Sequence, residues 1–241
     1  MSATQVPFQA TRWTLIAEAN GADRAAARAA LEKLCTAYWY PLYAYVRRRG
    51  RGPEDAADAV QTFFVRLVER DYFAAASRER GRLRSFLMHQ MDCALADEVR
   101  HRTAAKRGGG AALLSMDDAE MRYAAEPATD ETPETLYQRR WALTLLAEAL
   151  ADLETTCTNA GQAQTFALLK PALTEPTATA LDTAAVAAAL GLPRDQVRTR
   201  VHRLRTQFRE AVLARIAATL HTSRREDLEA EMQELMAALR G

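Results

Sequence analysis

The stretch from Thr183 to Val212, TAAVAAALGLPRDQVRTRVHRLRTQFREAV, decides the fold of the C-terminal half of this 241-residue chain. It reads as two helices joined by a tight turn. Residues 184–190 are alanine and aliphatic. Gly191 stands where a helix C-terminus needs a left-handed residue, and Pro193 where a new helix can start without losing a hydrogen bond. The second helix carries Val197, Val201, Leu204 and Phe208 at spacings of four, three and four, one buried stripe at helical period. At about 100° per residue, Asp195, Thr199, His202 and Thr206 point away from that stripe, with Arg198 and Arg203 flanking the outer face. Six arginines fall between Arg194 and Arg209, against Asp195 as the sole acid. A short helix, a glycine turn and a basic second helix are the parts of a helix-turn-helix that enters a major groove.

A basic solvated face on an ordinary helical hairpin is the alternative. The short glycine turn counts against it. So do the polar residues between the arginines, since Arg, Gln and Thr address both phosphates and base edges.

Length allows one large domain or two small ones. No apolar run is long enough to span a bilayer, and the start, MSATQVPFQATRW, lacks the basic and apolar regions of a signal peptide. Cys35, Cys93 and Cys157 are odd in number and widely spaced, so neither a zinc pattern nor a disulfide framework is expected. A reducing, cytoplasmic setting follows. The net charge of +1 does not by itself predict a polyanion partner; the uneven distribution of charge is the useful signal.

The expected fold class is all-α, because strand-like alternation is absent and β-branched residues are sparse. Residues 24–45 form a first helical block with Leu31, Leu34, Tyr38 and Leu42 on one face, and Pro41 marks a kink or a division. The basic turn RRRGRGP spans residues 47–53. Residues 55–70 form a second amphipathic helix with Val60, Phe64, Leu67 and Val68 inward, and a third follows over about 83–102. Residues 106–134, with three consecutive glycines, two prolines and scattered acids, read as an irregular acidic linker. Structure resumes at Pro133, a good first-turn residue, and runs through 141–153, a short helix at 165–173 and the helix-turn-helix. A last helix, 225–239, has Leu228, Met232, Leu235 and Leu239 on one face. The expected organisation is a domain at 10–105, a linker at 106–134, a second domain at 135–220 and a C-terminal helix at 224–240. The sequence leaves open whether that helix packs on the second domain or meets a regulator.

Three motifs in this order bring a family into view. DAADAVQTFFVRLVER, residues 55–70, resembles the clamp-binding helix of bacterial sigma factors, whose pattern runs acid-acid-x-x-Gln-x-x-Phe. GRLRSFLMHQMDCALADEVRHRTAAKR, residues 81–107, resembles the helix that follows it. The segment Val197, Arg198, Thr199, Arg200, His202, Arg203, Arg205 is similar to the end of the family's second promoter-reading helix. Together the motifs cover most of residues 10–215, and the resemblance is to the extracytoplasmic-function group. Asp92 replaces the Asn usual in the third helix, and Asp97 and Glu98 lie close to a surface meant to face DNA.

What the resemblance implies can be set beside the residues. On the second helix, Asp55, Asp58, Thr62 and Val65 form an outward arc with Gln61 beside it, a mixed acidic and apolar surface suited to a basic partner helix. By resemblance, Asp55, Asp58, Gln61 and Val65 bind core RNA polymerase at the clamp coiled coil of its largest subunit, and the flap is a further contact of the family. A solvated face accounts for Glu69 well and for Val65 poorly. On the third helix, Arg82, Arg84, Ser85, His89, Gln90, Arg100 and Arg102 offer the phosphate contacts and donors that single-stranded promoter bases need; by resemblance they meet the −10 element. Tyr72 and Phe73 either capture a flipped base or staple their loop to the core. On the last motif, Arg194, Gln196, Arg198, Thr199, Arg200, His202, Arg203, Arg205 and Arg209 face the −35 element, and the acids Asp117, Asp118, Glu120, Glu126, Asp130, Glu131 and Glu134 line a linker that threads the polymerase's RNA path.

Asp97 and His101 lie one turn apart, while His89 and Asp92 are two turns away, so no metal site is expected. No cofactor is expected, and no catalytic residue: phosphate-loop, zinc-protease and Ser/His/Asp patterns are missing. The implied function is a sigma factor that brings core polymerase to specific promoters. Its partners would be core polymerase, promoter DNA, and an anti-sigma factor or other regulator, with no membrane. The alternative is a helix-turn-helix regulator that does not bind polymerase, and a remoter one is an all-helical hydrolase using His89 and Asp92.

Overall fold

A computed structural model describes residues 24–69, 82–102, 116–125, 131–174, 181–220 and 224–240. Tyr72, Phe73 and the glycines 108–110 lie outside the described residues, and so do the side chains of Arg100 and Arg102. Every regular element among the described residues is a helix. They are α1 (Arg24–Arg48), α2 (Pro53–Glu69), α3 (Leu83–Arg102), α4 (Met116–Ala124), α5 (Pro133–Asn159), α6 (Ala163–Leu169), α7 (Pro171–Thr174), α8 (Thr183–Leu190), α9 (Arg194–Thr219) and α10 (Arg225–Arg240).

The chain divides into two compact units, one running to Thr144 and resuming at Ile216, the other Leu145–Arg215. The boundaries therefore fall inside α5 and α9, and not at the ends of a linker. The physical reason is where the aromatic residues go. The first turns of α5 carry Tyr137 and Trp141, both buried in the first unit, with Tyr137 edge-on to Tyr45 at 6.0 Å and its hydroxyl donating to the Arg84 carbonyl at 2.9 Å.

In the first unit α1 packs chiefly on α2, and both touch α4. The expected stripe of α1 understates its burial. From Leu34 to Val46 all residues but Thr36 are buried, as suits a helix apolar on every side. Pro41 stays within the helix. Alpha-2 opens on Pro53 with Glu54 and Asp55 in its first turn, a proline that loses no hydrogen bond and two acids that complement the helix dipole. Its Ala56, Val60, Phe63, Phe64 and Leu67 are buried, and α3 contributes Leu83, Leu87 and Met91.

The segment expected to be an irregular linker contains α4. Ala119 is buried. Glu120 accepts hydrogen bonds from the Tyr43 hydroxyl and from Arg47, at 3.0 Å from Nε and 2.8 Å from Nη2. Arg122 lies 3.8 Å from the centre of the Tyr40 ring. Glu131 pairs with Arg139 at 2.8 Å, and Glu134 with Arg49 at 3.6 Å. Three of the acids read as linker charge are thus fixed to basic side chains of α1, of the turn after it and of α5. Alpha-5 itself begins on Thr132, whose hydroxyl accepts from the Thr135 amide at 3.2 Å.

The second unit is built around Leu153, Cys157, Phe166, Leu169, Val186, Ala187, Val197 and Leu204, with Val201, Phe208, Leu190 and Leu192 packed at its edge. Arg215 ties α9 to α5 through both Asp152 carboxylate oxygens, at 2.6 Å each, and Glu148 at 3.0 Å.

Candidate nucleic-acid interface

Alpha-8 starts on Asp182, whose carboxylate accepts from the amides of Ala184 and Ala185 at 2.9 and 3.1 Å. Those two amides hold the carboxyl below its ordinary range, Ala185 contributing most. An acid just before an apolar run is an N-cap signal, and it makes the start of the helix-turn-helix readable a residue earlier than the alanine run does. The helix ends on Gly191 at φ 64°, with the Gly191 and Leu192 amides returning to Ala188 and Ala187. A side chain there would be strained by the left-handed backbone itself, because open space surrounds the position. Pro193 then caps α9 by accepting from the amides of Gln196 and Val197 at 3.0 and 3.2 Å.

These three residues fix how α9 lies. Val197 is 0 % exposed and Leu204 is buried, with Val201 and Phe208 half-buried on the same core. Arg194, Asp195, Gln196, Arg198, Thr199, Arg200, His202, Arg203 and Arg209 are all exposed. Inward and outward residues alternate at the period read from the sequence. Among the outward groups, Arg198 reaches Asp195 at 3.5 Å between two well-solvated side chains, a pair of little energetic consequence, and the Thr199 hydroxyl donates to the Asp195 carbonyl at 3.0 Å. Arg205 differs from its neighbours. Its guanidinium donates to the Ala172 carbonyl at 3.2 and 3.3 Å, so it braces α9 against the end of α7 where a phosphate contact was expected.

On α2, Asp55, Asp58, Thr62 and Val65 are exposed and Gln61 is half-buried. Val65 is 43 % exposed on a helix whose opposite face is buried throughout, which leaves an apolar side chain among acids on the outer arc.

Alpha-3 departs most from the sequence reading. Ser85 and His89 are exposed. Gln90 lines a small crevice with Phe63, Arg66, Leu67 and Ala94. Arg82 and Arg84, expected on an open nucleic-acid face, are given instead to acids of α10. Arg84 is 5 % exposed and Glu231 of α10 is 1 % exposed; the two form an ion pair. Arg84 also bonds Gln138 Oε1 at 2.6 Å and Glu234 at 3.2 Å, and its guanidinium lies 4.4 Å from the centre of the Trp141 ring. Burial, and then the neighbouring Arg82, pull its pKa down from the ordinary arginine value. Arg82 meets Glu231 at 2.7 Å and pairs with Glu234. The C-terminal helix thus belongs to the first unit, where the sequence had offered the second domain or a regulator as its partner.

Two of the acids on α3, Asp92 and Glu98, have basic or phenolic neighbours. Asp92 accepts from the Tyr45 hydroxyl at 2.7 Å and pairs with Arg49 at 2.8 Å; burial and then this bond raise the Tyr45 pKa. Glu98 pairs with Arg51 at 3.5 Å. These partners lie on the end of α1 and the turn after it, so Asp92 and Glu98 serve the packing of α1 on α3.

No helix among the described residues is long and apolar enough to cross a membrane. No curated protein and no solved structure matches the chain significantly. Residues 27–213 match the family model described as ECF sigma factor.

Proposed function

Because the chain belongs to the ECF sigma factor family, a family of non-enzymatic initiation factors that work with RNA polymerase, we propose that it directs core polymerase to specific promoters by sequence-reading contacts from both units. The observation that carries this reading is the outward face of α9. Gly191 and Pro193 set the helix so that its apolar stripe is consumed by the core, and the entire remaining arc of arginines, Gln196, Thr199 and His202 is exposed. In this reading the first turns of α9 enter the major groove of the −35 element, and the exposed arc of α2 (Asp55, Asp58, Gln61, Val65) docks on the clamp coiled coil. In this reading the chain contributes affinity and placement.

Base and phosphate contacts differ in what their loss does. Arg198 sits in the first turns of α9, where a groove-entering helix comes closest to base edges. Arg209 lies four turns along. Arg198→Ala is expected to cost about 1–3 kcal/mol and relax preference at one base pair, while Arg209→Ala weakens all sequences alike and lowers the salt slope by about one. The assay is salt-dependent binding of the full chain to a selected promoter duplex and its single-base variants. Equal loss on every variant for Arg198→Ala would remove that residue from sequence reading.

The regulator alternative is separated from this reading by the exposed Asp58–Val65 arc, which a regulator working without polymerase has no use for.

A further inference from the structure

Alpha-10 is acidic, and it meets Arg82 and Arg84 at the start of α3. Its sequence REDLEAEMQELMAALR carries Glu226, Asp227, Glu229, Glu231 and Glu234 against Arg225 and Arg240. Two of those acids hold both arginines at the start of α3, one pair deep and one at the rim. Glu231 and Arg84 are buried, whereas the side chains of Arg82 and Glu234 are 36 % and 48 % exposed. Carboxylates placed on neighbouring arginines occupy the positions that phosphate oxygens take in a nucleic-acid complex.

We propose that α10 is an intramolecular lock on an arginine site of α3: Glu231 and Glu234 stand in for backbone phosphates, and a single-stranded DNA segment displaces them to reach Arg82 and Arg84. This rests on the promoter-reading function proposed above. Three observations favour a lock over a fixed brace. The site is complete without α10, because Gln138 and the Trp141 ring, both on α5, keep the Arg84 guanidinium oriented. The rim pair is reachable by solvent, so displacement can begin at Arg82 and proceed inward. The helix's apolar anchorage is one narrow stripe, with Leu228 and Leu235 buried and Met232 and Leu239 half-buried, while Met236 is 42 % exposed. A helix meant only to brace the unit would be held as well by apolar residues, since an ion pair removed from water repays its desolvation poorly.

The test uses the full chain in four forms: wild type, Glu234→Gln alone, Glu231→Gln with Glu234→Gln, and that double variant carrying Arg82→Gln and Arg84→Gln as well. Helix content by circular dichroism checks that each is folded. Hydrogen exchange of the α10 amides reports docking, and fluorescence anisotropy reports binding of a labelled twelve-residue oligodeoxythymidine across salt concentrations. The double Glu variant is expected to exchange faster over α10, to bind on the order of tenfold more tightly at low salt, and to show a salt slope steeper by about 1.4, two further single-strand phosphates at about 0.7 each. The added arginine substitutions are expected to remove the gain. Glu234→Gln alone leaves the buried pair intact and is expected to give a smaller gain in the same direction. Exchange over α10 no faster than in the wild type, or faster exchange with unchanged DNA affinity in both Glu variants, overturns the lock. Initiation by the wild type with core polymerase, measured in parallel, keeps the two readings apart. If it initiates while the variants show no gain, only the lock fails; if it neither initiates nor binds DNA, the function proposed above has failed and the lock falls with it.

Discussion

Val197→Ala and Arg198→Ala change adjacent residues of α9 and are expected to fail in opposite ways. Val197 is 0 % exposed in the core of the second unit, among Phe166, Leu169, Val186 and Leu204. Truncation removes two carbons from that core, about 1.6 kcal/mol of transfer free energy at about 0.8 kcal/mol per carbon. The surrounding side chains come from four helices and collapse only in part, so the residual cavity brings the total to about 2 kcal/mol or slightly more. In a unit of this size 1 kcal/mol moves Tm by about 4–8 °C, giving a fall of roughly 8–16 °C. Arg198 is exposed, and its loss should change stability by less than about 0.5 kcal/mol while reducing specific DNA affinity as described above. Calorimetric melting of the full chain, with promoter binding measured well below the lowered Tm, separates the two. Val197→Ala should bind near-normally while folded. A Val197→Ala protein melting within about 2 °C of wild type, or an Arg198→Ala protein destabilised as much as Val197→Ala, would show that the inward and outward faces of α9 are wrongly assigned.

Asp58→Arg with Gln61→Ala reverses charge on the exposed arc of α2 and trims the half-buried Gln61 beside it without touching the fully buried side chains, so helix content and Tm should largely hold while binding to core polymerase, read by co-purification, is lost; undiminished binding would move the docking surface elsewhere. Glu120→Gln should cost about 1–2 kcal/mol, because three hydrogen bonds from Tyr43 and Arg47 lose their charged acceptor at a half-exposed site. Those bonds, from Arg47 above all, hold the Glu120 carboxyl below its ordinary value of 4.5. Its contribution is therefore full above that ordinary value and lost as pH falls through the depressed one, so the Tm gap between wild type and Glu120→Gln should be widest near neutrality and close on acidification. A gap that widens in acid would contradict the assignment.

The helix-turn-helix was legible because all its determinants are local. Gly191, Pro193 and the Val197–Leu204 stripe lie within a few turns of one another, and each has one conformational meaning. The outer arc of α2 was legible for the same reason: period alone sorts Phe64 from Val65. What escaped depends on partners far along the chain. Arg84 looks like any arginine near a helix start, and its burial follows from Glu234 and Glu231, the first of them 150 residues away. Glu120 sits on a nine-residue helix too short to stand on propensity, and it takes its structure from Tyr43 and Arg47. Arg205 reads as one more cation of the arc until Ala172 is brought beneath it. Charge pattern distinguishes a solvated face from a paired one only when both members of the pair share a helix.

The measurement closest to the central claim is run-off transcription with purified bacterial core polymerase on the DNA upstream of this protein's own gene. Addition of the full chain should produce a transcript of defined start that core alone does not make, and the Asp58→Arg, Gln61→Ala protein should not support it. A folded wild-type chain that binds that DNA yet yields no core-dependent transcript would contradict the assignment and favour a regulator that works without polymerase.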